Sequence, residues 1–202
     1  MKNLRELLKD IPYTCTENEA GEIVVSGITS DSRKVTNGCL FICLKGERSD
    51  GHDYAVKAAE MGAGVILSEY PMQLPEGCVN VVTDSTRYAD AMIWRNYYDD
   101  PAASMRVVAV TGTNGKTSIT YMLKSILDMA GEKVGVIGTI RNYIGDVAVE
   151  SNMTTPLPEQ LYALIAQMRD AGCTYLVMEA LMTYHMMTHL KIHYARQQLL
   201  TF

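Results

Sequence analysis

Apolar residues in this chain alternate between short continuous runs and longer stretches at helical spacing. Glu22 to Gly27 and Leu40 to Leu44 read as strands, and Asp53 to Met61 as a helix closed by Gly62. Gly64 to Leu67 and Val79 to Val82 are strand-like again, and Asp84 to Tyr98 is helical, with Asp84 or Ser85 as N-cap. The turn signal Asp99-Asp100-Pro101 ends that pattern. Beyond it the spacing becomes more regular. Val107 to Val110 is an unbroken apolar run of the kind a buried parallel strand carries. Ile119, Met122, Leu123, Ile126, Leu127 and Ala130 then recur on one helical face, ending at Gly131. Val134 to Ile140 is the next strand. Glu159 to Ala171 is a helix with Leu161, Leu164, Ile165 and Met168 on one face and Gly172 as cap, and Thr174 to Met178 is a further strand.

This order predicts an α/β chain in two parts: a small domain over residues 1–101, and over 102–202 an incomplete phosphate-loop domain with a parallel sheet covered on both faces. Charge narrows the function. The net charge of -5 argues against a nucleic-acid partner, which needs a basic face. No run reaches the 18 or so apolar residues of a membrane span, and the charges in Met1 to Glu6 fall where a signal peptide has its apolar core, so a cytoplasmic location is expected. The five cysteines, Cys15, Cys39, Cys43, Cys78 and Cys173, are scattered without a CxxC pair and read as reduced packing thiols. A zinc site on Cys39 and Cys43 is the alternative, and it lacks a second ligand pair at a usual spacing.

The candidate chemistry lies between the run at Val107 and the helix that follows. Gly112-Thr113-Asn114-Gly115-Lys116-Thr117-Ser118 joins a strand to a helix, the context a phosphate site requires. Gly112 and Gly115 let backbone N–H groups approach phosphate closely. The helix starting near Lys116 aims its positive end at the same point. Lys116 adds a full charge for the terminal phosphates of ATP, and the Thr117 hydroxyl is placed to ligate Mg²⁺. The spacing departs from G-x-x-x-x-G-K-[ST], because Val110 stands where the first glycine belongs. A tight structural turn with an exposed lysine is the competing reading.

That variant loop, Thr111 to Ser118, resembles the loop of the Mur ligase family, and other motifs follow in the family's order. They are Ile28-Thr29-Ser30-Asp31-Ser32-Arg33-Lys34-Val35, Gly38-Cys39-Leu40-Phe41, Lys45-Gly46, and Asp50-Gly51-His52-Asp53-Tyr54. The run from Tyr121 to Leu127, Val136-Ile137-Gly138-Thr139-Ile140 and Thr154-Thr155-Pro156 are similar to the members that add the third residue of the peptide. The resemblance spans residues 1 to about 179. It implies an ATP-dependent ligase of peptidoglycan precursors. ATP would phosphorylate the terminal carboxylate of a UDP-N-acetylmuramoyl dipeptide, and the amine of a diamino acid would displace the phosphate to give an amide. By the same resemblance Ser30 and Ser32 contact the uridine part, and Glu47, Arg48 and Ser49 lie near the diphosphate. Thr154 and Thr155 contact the muramoyl-peptide part, and Glu179, with Thr117, holds Mg²⁺. Lys116 and Glu179 are the expected catalytic pair. Turn formation around Asp31, Ser32 and Arg33, and a plain helix lead-in at Thr154 and Thr155, stay open as alternatives. So do a non-catalytic binding remnant and a ligase like folylpolyglutamate synthetase.

After Glu179 the resemblance ends. The family carries a short hydrophobic residue, two serines and a histidine, whereas this chain has Ala180-Leu181-Met182-Thr183-Tyr184-His185. Ala-Leu-Met can be encoded GCT CTC ATG, and those letters read one base earlier after an A spell Ser-Ser-His. A frameshift just after Glu179 is therefore expected to account for residues 180–202. His185, His189 and His193 share a helical spacing, with no Glu beside the first to make the H-E-x-x-H zinc motif. The site for the incoming diamino acid is expected to lie outside this chain. Two measurements follow. The nucleotide sequence after codon 179 should encode Ser-Ser-His in an adjacent frame, and its absence there refutes the frameshift. The purified chain should incorporate no diamino acid into the UDP-linked product, and detectable incorporation refutes the expected inactivity.

Overall fold

A computed structural model of the chain describes residues 1–15, 23–47, 49–151 and 156–180, and the backbone of 198–201. Glu22, Arg48, Thr154, Thr155 and the histidines at 185, 189 and 193 lie outside the described residues. The chain divides into two compact units, Met1–Tyr97 and Tyr98–Phe202.

The first unit is built on a five-stranded sheet in the order β2-β7-β6-β5-β4. These strands are β2 (Thr14–Cys15), β4 (Ile28–Thr29), β5 (Leu40–Ile42), β6 (Val65–Ser68) and β7 (Val79–Val82). Four run parallel, and β2 joins the edge antiparallel through Thr14–Val82 and Cys15–Val81. A separate pair, β1 (Lys2–Asn3) with β3 (Val24–Val25), is antiparallel. Side chains alternate strictly across the sheet. Leu40, Ile42, Val65, Leu67, Val79 and Val81 share one apolar cluster with Leu4 and Leu7 of α1 (Leu4–Leu7) and with Ala89, Met92 and Ile93 of α3 (Thr86–Tyr97). Cys39, Phe41, Cys43 and Ile66 point the other way, against Ala55 and Ala58 of α2 (Ala55–Glu60). The sheet is thus covered on both faces.

The second unit carries the order β11-β10-β9-β12-β8-β13. Here β8 (Arg106–Thr111), β9 (Val134–Ile137), β12 (Tyr175–Glu179) and β13 (Gln198–Thr201) are parallel. Val110, Val134, Val136 and Val177 face Ile119, Leu123 and Leu127 of α4 (Lys116–Met129). On the opposite face a Cβ at Gly135 would run into the Met168 side chain of α5 (Pro158–Asp170), so glycine is what lets that helix lie close to β9.

Several elements differ from the sequence reading. The strand expected over Glu22 to Gly27 is reduced to β3, and the next two-residue strand, β4, belongs to the main sheet. The helix expected from Asp53 begins with a 3₁₀ turn over Gly51–Tyr54, and only Ala55–Glu60 is α-helical. The strand expected from Val134 to Ile140 stops at Ile137, because the chain turns at Gly138 and Thr139 into an antiparallel hairpin, β10 (Arg141–Ile144) and β11 (Val147–Glu150). The sheet is therefore mixed rather than wholly parallel. The apolar face assigned to α4 is also divided. Ile119, Leu123 and Leu127 pack on the sheet, whereas Met122 and Ile126 are each 63% exposed. The width of that stripe exceeds what one sheet face covers. Ser85 caps α3 as expected, its Oγ accepting the Tyr88 N–H at 3.2 Å.

Candidate functional site

In a parallel sheet, loops that leave the carboxyl ends of the strands gather along one edge, where ligands of α/β folds bind. In the first unit that edge collects the segments after β4, β5, β6 and β7. Ser30 is exposed at the end of β4 and Ser32 opens the 3₁₀ turn Ser32–Lys34. Asp31 caps that turn, accepting the Arg33 N–H at 3.0 Å, and it also takes a two-pronged contact from the Arg33 guanidinium at 2.9 Å on each oxygen. The Arg33 hydrogen bonds hold the Asp31 carboxyl down at about 2. The alternative of a turn at Asp31 to Arg33 is thus part of the structure, and it leaves Ser30 outward.

The Lys45–Asp50 loop is pinched shut at its base by the Lys45–Asp50 bridge and by Gly46 N–H donating to Ser49 O at 2.9 Å. Glu47 and Ser49 are exposed on it. Gly51 closes the loop by approaching the backbone of Leu44, where an added Cβ would lie 2.6 Å from the Leu44 nitrogen. Sequence reasoning assigned no role to His52, which is buried beneath this loop. Its Nε2 accepts the Glu69 N–H at 3.0 Å, so the proton sits on Nδ1, which faces Asp50. Arg87, also unassigned, donates to Lys45 O at 2.6 Å. Neither contact carries a signal in sequence, since the partners are 17 and 42 positions apart.

In the second unit the same edge gathers the phosphate loop, the end of β9 and the end of β12. Gly112 has φ 144° and Gly115 has φ 79°, values that only glycine adopts readily. Gly115 is the N-cap of α4 and offers no side-chain cap to its first N–H groups. The helix therefore presents uncapped donors and the positive end of its dipole, roughly half a unit charge. Thr113 and Asn114 are exposed on the loop, as is Ser118 in the first turn. Lys116 Nζ donates to Gly112 O at 2.8 Å, which keeps the ammonium at the loop. The Thr111 hydroxyl, at the end of β8, is buried with no hydrogen-bond partner among the described residues.

Glu179 closes this edge. It is 1% exposed, at the last position of β12. The Thr117 hydroxyl donates to its Oε2 at 3.1 Å across 62 positions of sequence. The Thr139 hydroxyl donates to Oε2 at 2.9 Å, and the Thr139 N–H to Oε1 at 3.1 Å. A Cβ at Gly138 would stand 2.6 Å from Oε1, so a larger residue before Thr139 would displace the carboxylate. The turn is held from the hairpin: Asn142 Oδ1 accepts the Gly138 N–H at 3.2 Å, and Ser151 Oγ donates to Gly138 O at 2.7 Å. Thr117 and Glu179, named together from sequence, are thus in direct contact. Thr139 was visible only as part of a motif, with no role attached.

The donor set suits Mg²⁺, which prefers a few carboxylate and hydroxyl oxygens completed by phosphate and water. Among the described residues no group of three or more His, Cys, Asp or Glu is placed to hold a metal. Cys39 and Cys43 sit in an apolar cluster and not in a polar cage. No described helix is long and apolar enough to cross a membrane.

Comparison with known proteins bears on both edges. A family model described as Mur ligase family, catalytic domain, matches residues 24–110, and one described as Mur ligase middle domain matches residues 110–195. A UDP-N-acetylmuramoyl-L-alanyl-D-glutamate--2,6-diaminopimelate ligase of Clostridium acetobutylicum is 42% identical over 177 residues, covering 87% of this chain and 36% of that protein. The Syntrophomonas wolfei ligase of the same name is 43% identical over 176 residues, again 87% and 36%. The chain thus spans about a third of the length of these relatives. A solved structure of a 2,6-diaminopimelate ligase of this name superposes with a TM-score of 0.66 at 24% identity, covering 89% of this chain and 36% of that one. MurF from Acinetobacter baumannii superposes at 0.57 with 23% identity, covering 88% and 35%. These two show the fold.

Burial makes a chemical prediction. It pushes the Cys43 thiol up to about 12, and the Cys78 thiol to about 11. At pH 8 both are protonated and therefore poor nucleophiles. Iodoacetamide at pH 8, followed by peptide mass mapping, should leave Cys43 and Cys78 unmodified in the native chain and alkylate both in denaturant. Rapid native alkylation of Cys43 would show that the α2 face of the sheet is not packed as described.

Proposed function

The chain belongs to the Mur ligase family, and we propose on that premise that it is the N-terminal part of a UDP-N-acetylmuramoyl-tripeptide synthetase. In this reading residues 1–101 hold the UDP end of UDP-N-acetylmuramoyl-L-alanyl-D-glutamate, and residues 102–202 hold ATP. The observation that carries it is the meeting of Thr117 and Glu179 beside an uncapped helix N-terminus with Lys116 at the loop.

The chemistry follows from charge. The dipeptide carboxylate must approach the γ-phosphoryl group, and both are anionic. Lys116 and the first N–H groups of α4 oppose that repulsion at fixed positions, with no reorganisation during transfer. When bound, Mg²⁺ would be held by the Thr117 hydroxyl and the Glu179 carboxylate and would neutralise phosphate charge. The carboxylate oxygen attacks phosphorus, ADP leaves, and the resulting acyl phosphate takes the amine of the diamino acid to give an amide and phosphate. Ser30, Ser32, Glu47, Arg48 and Ser49 are proposed for the UDP end, and Thr154 and Thr155 for the muramoyl-peptide end. The exposed loops at the carboxyl edge of the first sheet support the UDP assignment for the described residues among them. The 2,6-diaminopimelate named for the relatives makes it the first amine to test.

Calorimetric titration of the 202-residue chain tests this reading. Mg-ATP should bind, and Lys116→Ala should weaken it by tenfold or more, as expected for loss of a charged hydrogen bond of about 1.5–3 kcal/mol. The UDP-linked dipeptide should bind with unchanged affinity in that variant. Equal Mg-ATP affinity in the variant and the parent chain would place the nucleotide elsewhere.

A further inference from the structure

Thr139 lies outside the phosphate loop and makes none of the contacts with nucleotide just described. It nonetheless supplies two donors to Glu179: its hydroxyl to Oε2 and its N–H to Oε1. Donation to both oxygens from one residue fixes the plane of the carboxylate, which a single bond would leave free to rotate. Another donor, the Thr117 hydroxyl, shares Oε2 with Thr139. The two contacts on Oε2 differ in kind. The one from Thr139 comes from a turn whose Gly138 backbone is held by Asn142 and Ser151. The one from Thr117 comes from a side chain in the first turn of α4, and it must be given up if both oxygens are to turn lone pairs toward a cation.

We propose that Thr139 is a positioning residue for divalent-cation binding, clamping Glu179 in the ligating orientation while Thr117 acts as the exchangeable contact. The inference rests on the proposed Mg-ATP site and adds to it a residue that touches neither nucleotide nor cation. It separates two quantities that a purely structural role would move together. Nucleotide held by Lys116 and the helix N-terminus without a cation does not depend on the carboxylate plane, whereas the gain in affinity when Mg²⁺ is added does.

The test is titration of the chain with ATP in excess EDTA and again in saturating Mg²⁺. Thr139→Val should leave the EDTA affinity unchanged and reduce the Mg²⁺-dependent gain by about tenfold, the scale of a lost hydrogen bond to a charged group. Thr139→Ser keeps both donors and should restore the gain. An undiminished gain in Thr139→Val overturns the clamp even if ATP binds as proposed. Absence of ATP binding by the parent chain overturns the nucleotide site itself. Amide hydrogen exchange supplies a readout that needs no ligand. Glu179→Ala should speed exchange at the Thr139 N–H while leaving the Val134–Ile137 strand protected, and unchanged exchange at Thr139 overturns the clamp directly.

Discussion

A carboxylate buried to 1% exposure must be supplied with donors, and Glu179 obtains them from Thr117 and Thr139, two residues distant from it in the chain. An unmatched carboxylate in that position would be strongly destabilising. The requirement therefore ties together the end of β12, the first turn of α4 and the turn after β9. Each of these is carried by a parallel strand of the same sheet, whose register places Glu179 opposite Val110 of β8 and Met178 opposite Ile137 of β9. The satisfaction of one buried acid thus sets the spatial relation between the phosphate loop and the neighbouring turn. The antiparallel hairpin acquires a purpose in the same terms, because Asn142 and Ser151 hold the backbone of Gly138.

The first unit solves a related problem in its loops. Its sheet is clad by α1 and α3 on one face and by α2 on the other, which leaves the carboxyl edge as the place where loops emerge. There the stiffness comes from backbone-directed polar contacts. His52 links the base of the Lys45–Asp50 loop to the end of β6, and Glu69 in turn accepts the Thr86 N–H at 3.0 Å at the start of α3. A loop so tied can present exposed polar side chains with little loss of order on binding.

How much of this was legible in the sequence depended on whether the signal was local. The phosphate loop was readable because Gly112, Gly115, Lys116 and Thr117 act through neighbours in the chain, and the flanking strand and helix have strong periodicity. Glu179 was named through family resemblance, and its contact with Thr117 over 62 positions is a property of the fold alone. The hairpin was missed, although Gly145-Asp146 between Arg141–Ile144 and Val147–Glu150 is a recognisable two-residue turn. Its strands are short and partly exposed, Val147 at 65%, so apolar patterning did not single them out. His52 was hidden for another reason: in Asp50-Gly51-His52 it looks like turn chemistry, and its burial depends on Glu69 and Tyr70 arriving from β6.

The pairing of Asp31 with Arg33 has one more consequence. The guanidinium and the carboxylate neutralise each other within the turn, so the pair itself adds no net charge beside the uncharged hydroxyl of Ser30. The phosphate loop instead offers a full cation and a helix dipole. Fields of the second kind are damped by dissolved ions over about 8–10 Å at physiological ionic strength, while neutral hydrogen bonds are nearly indifferent to them. The pull of the phosphate loop on an anion therefore weakens as salt is added, whereas the hydroxyl of Ser30 has no field to be damped.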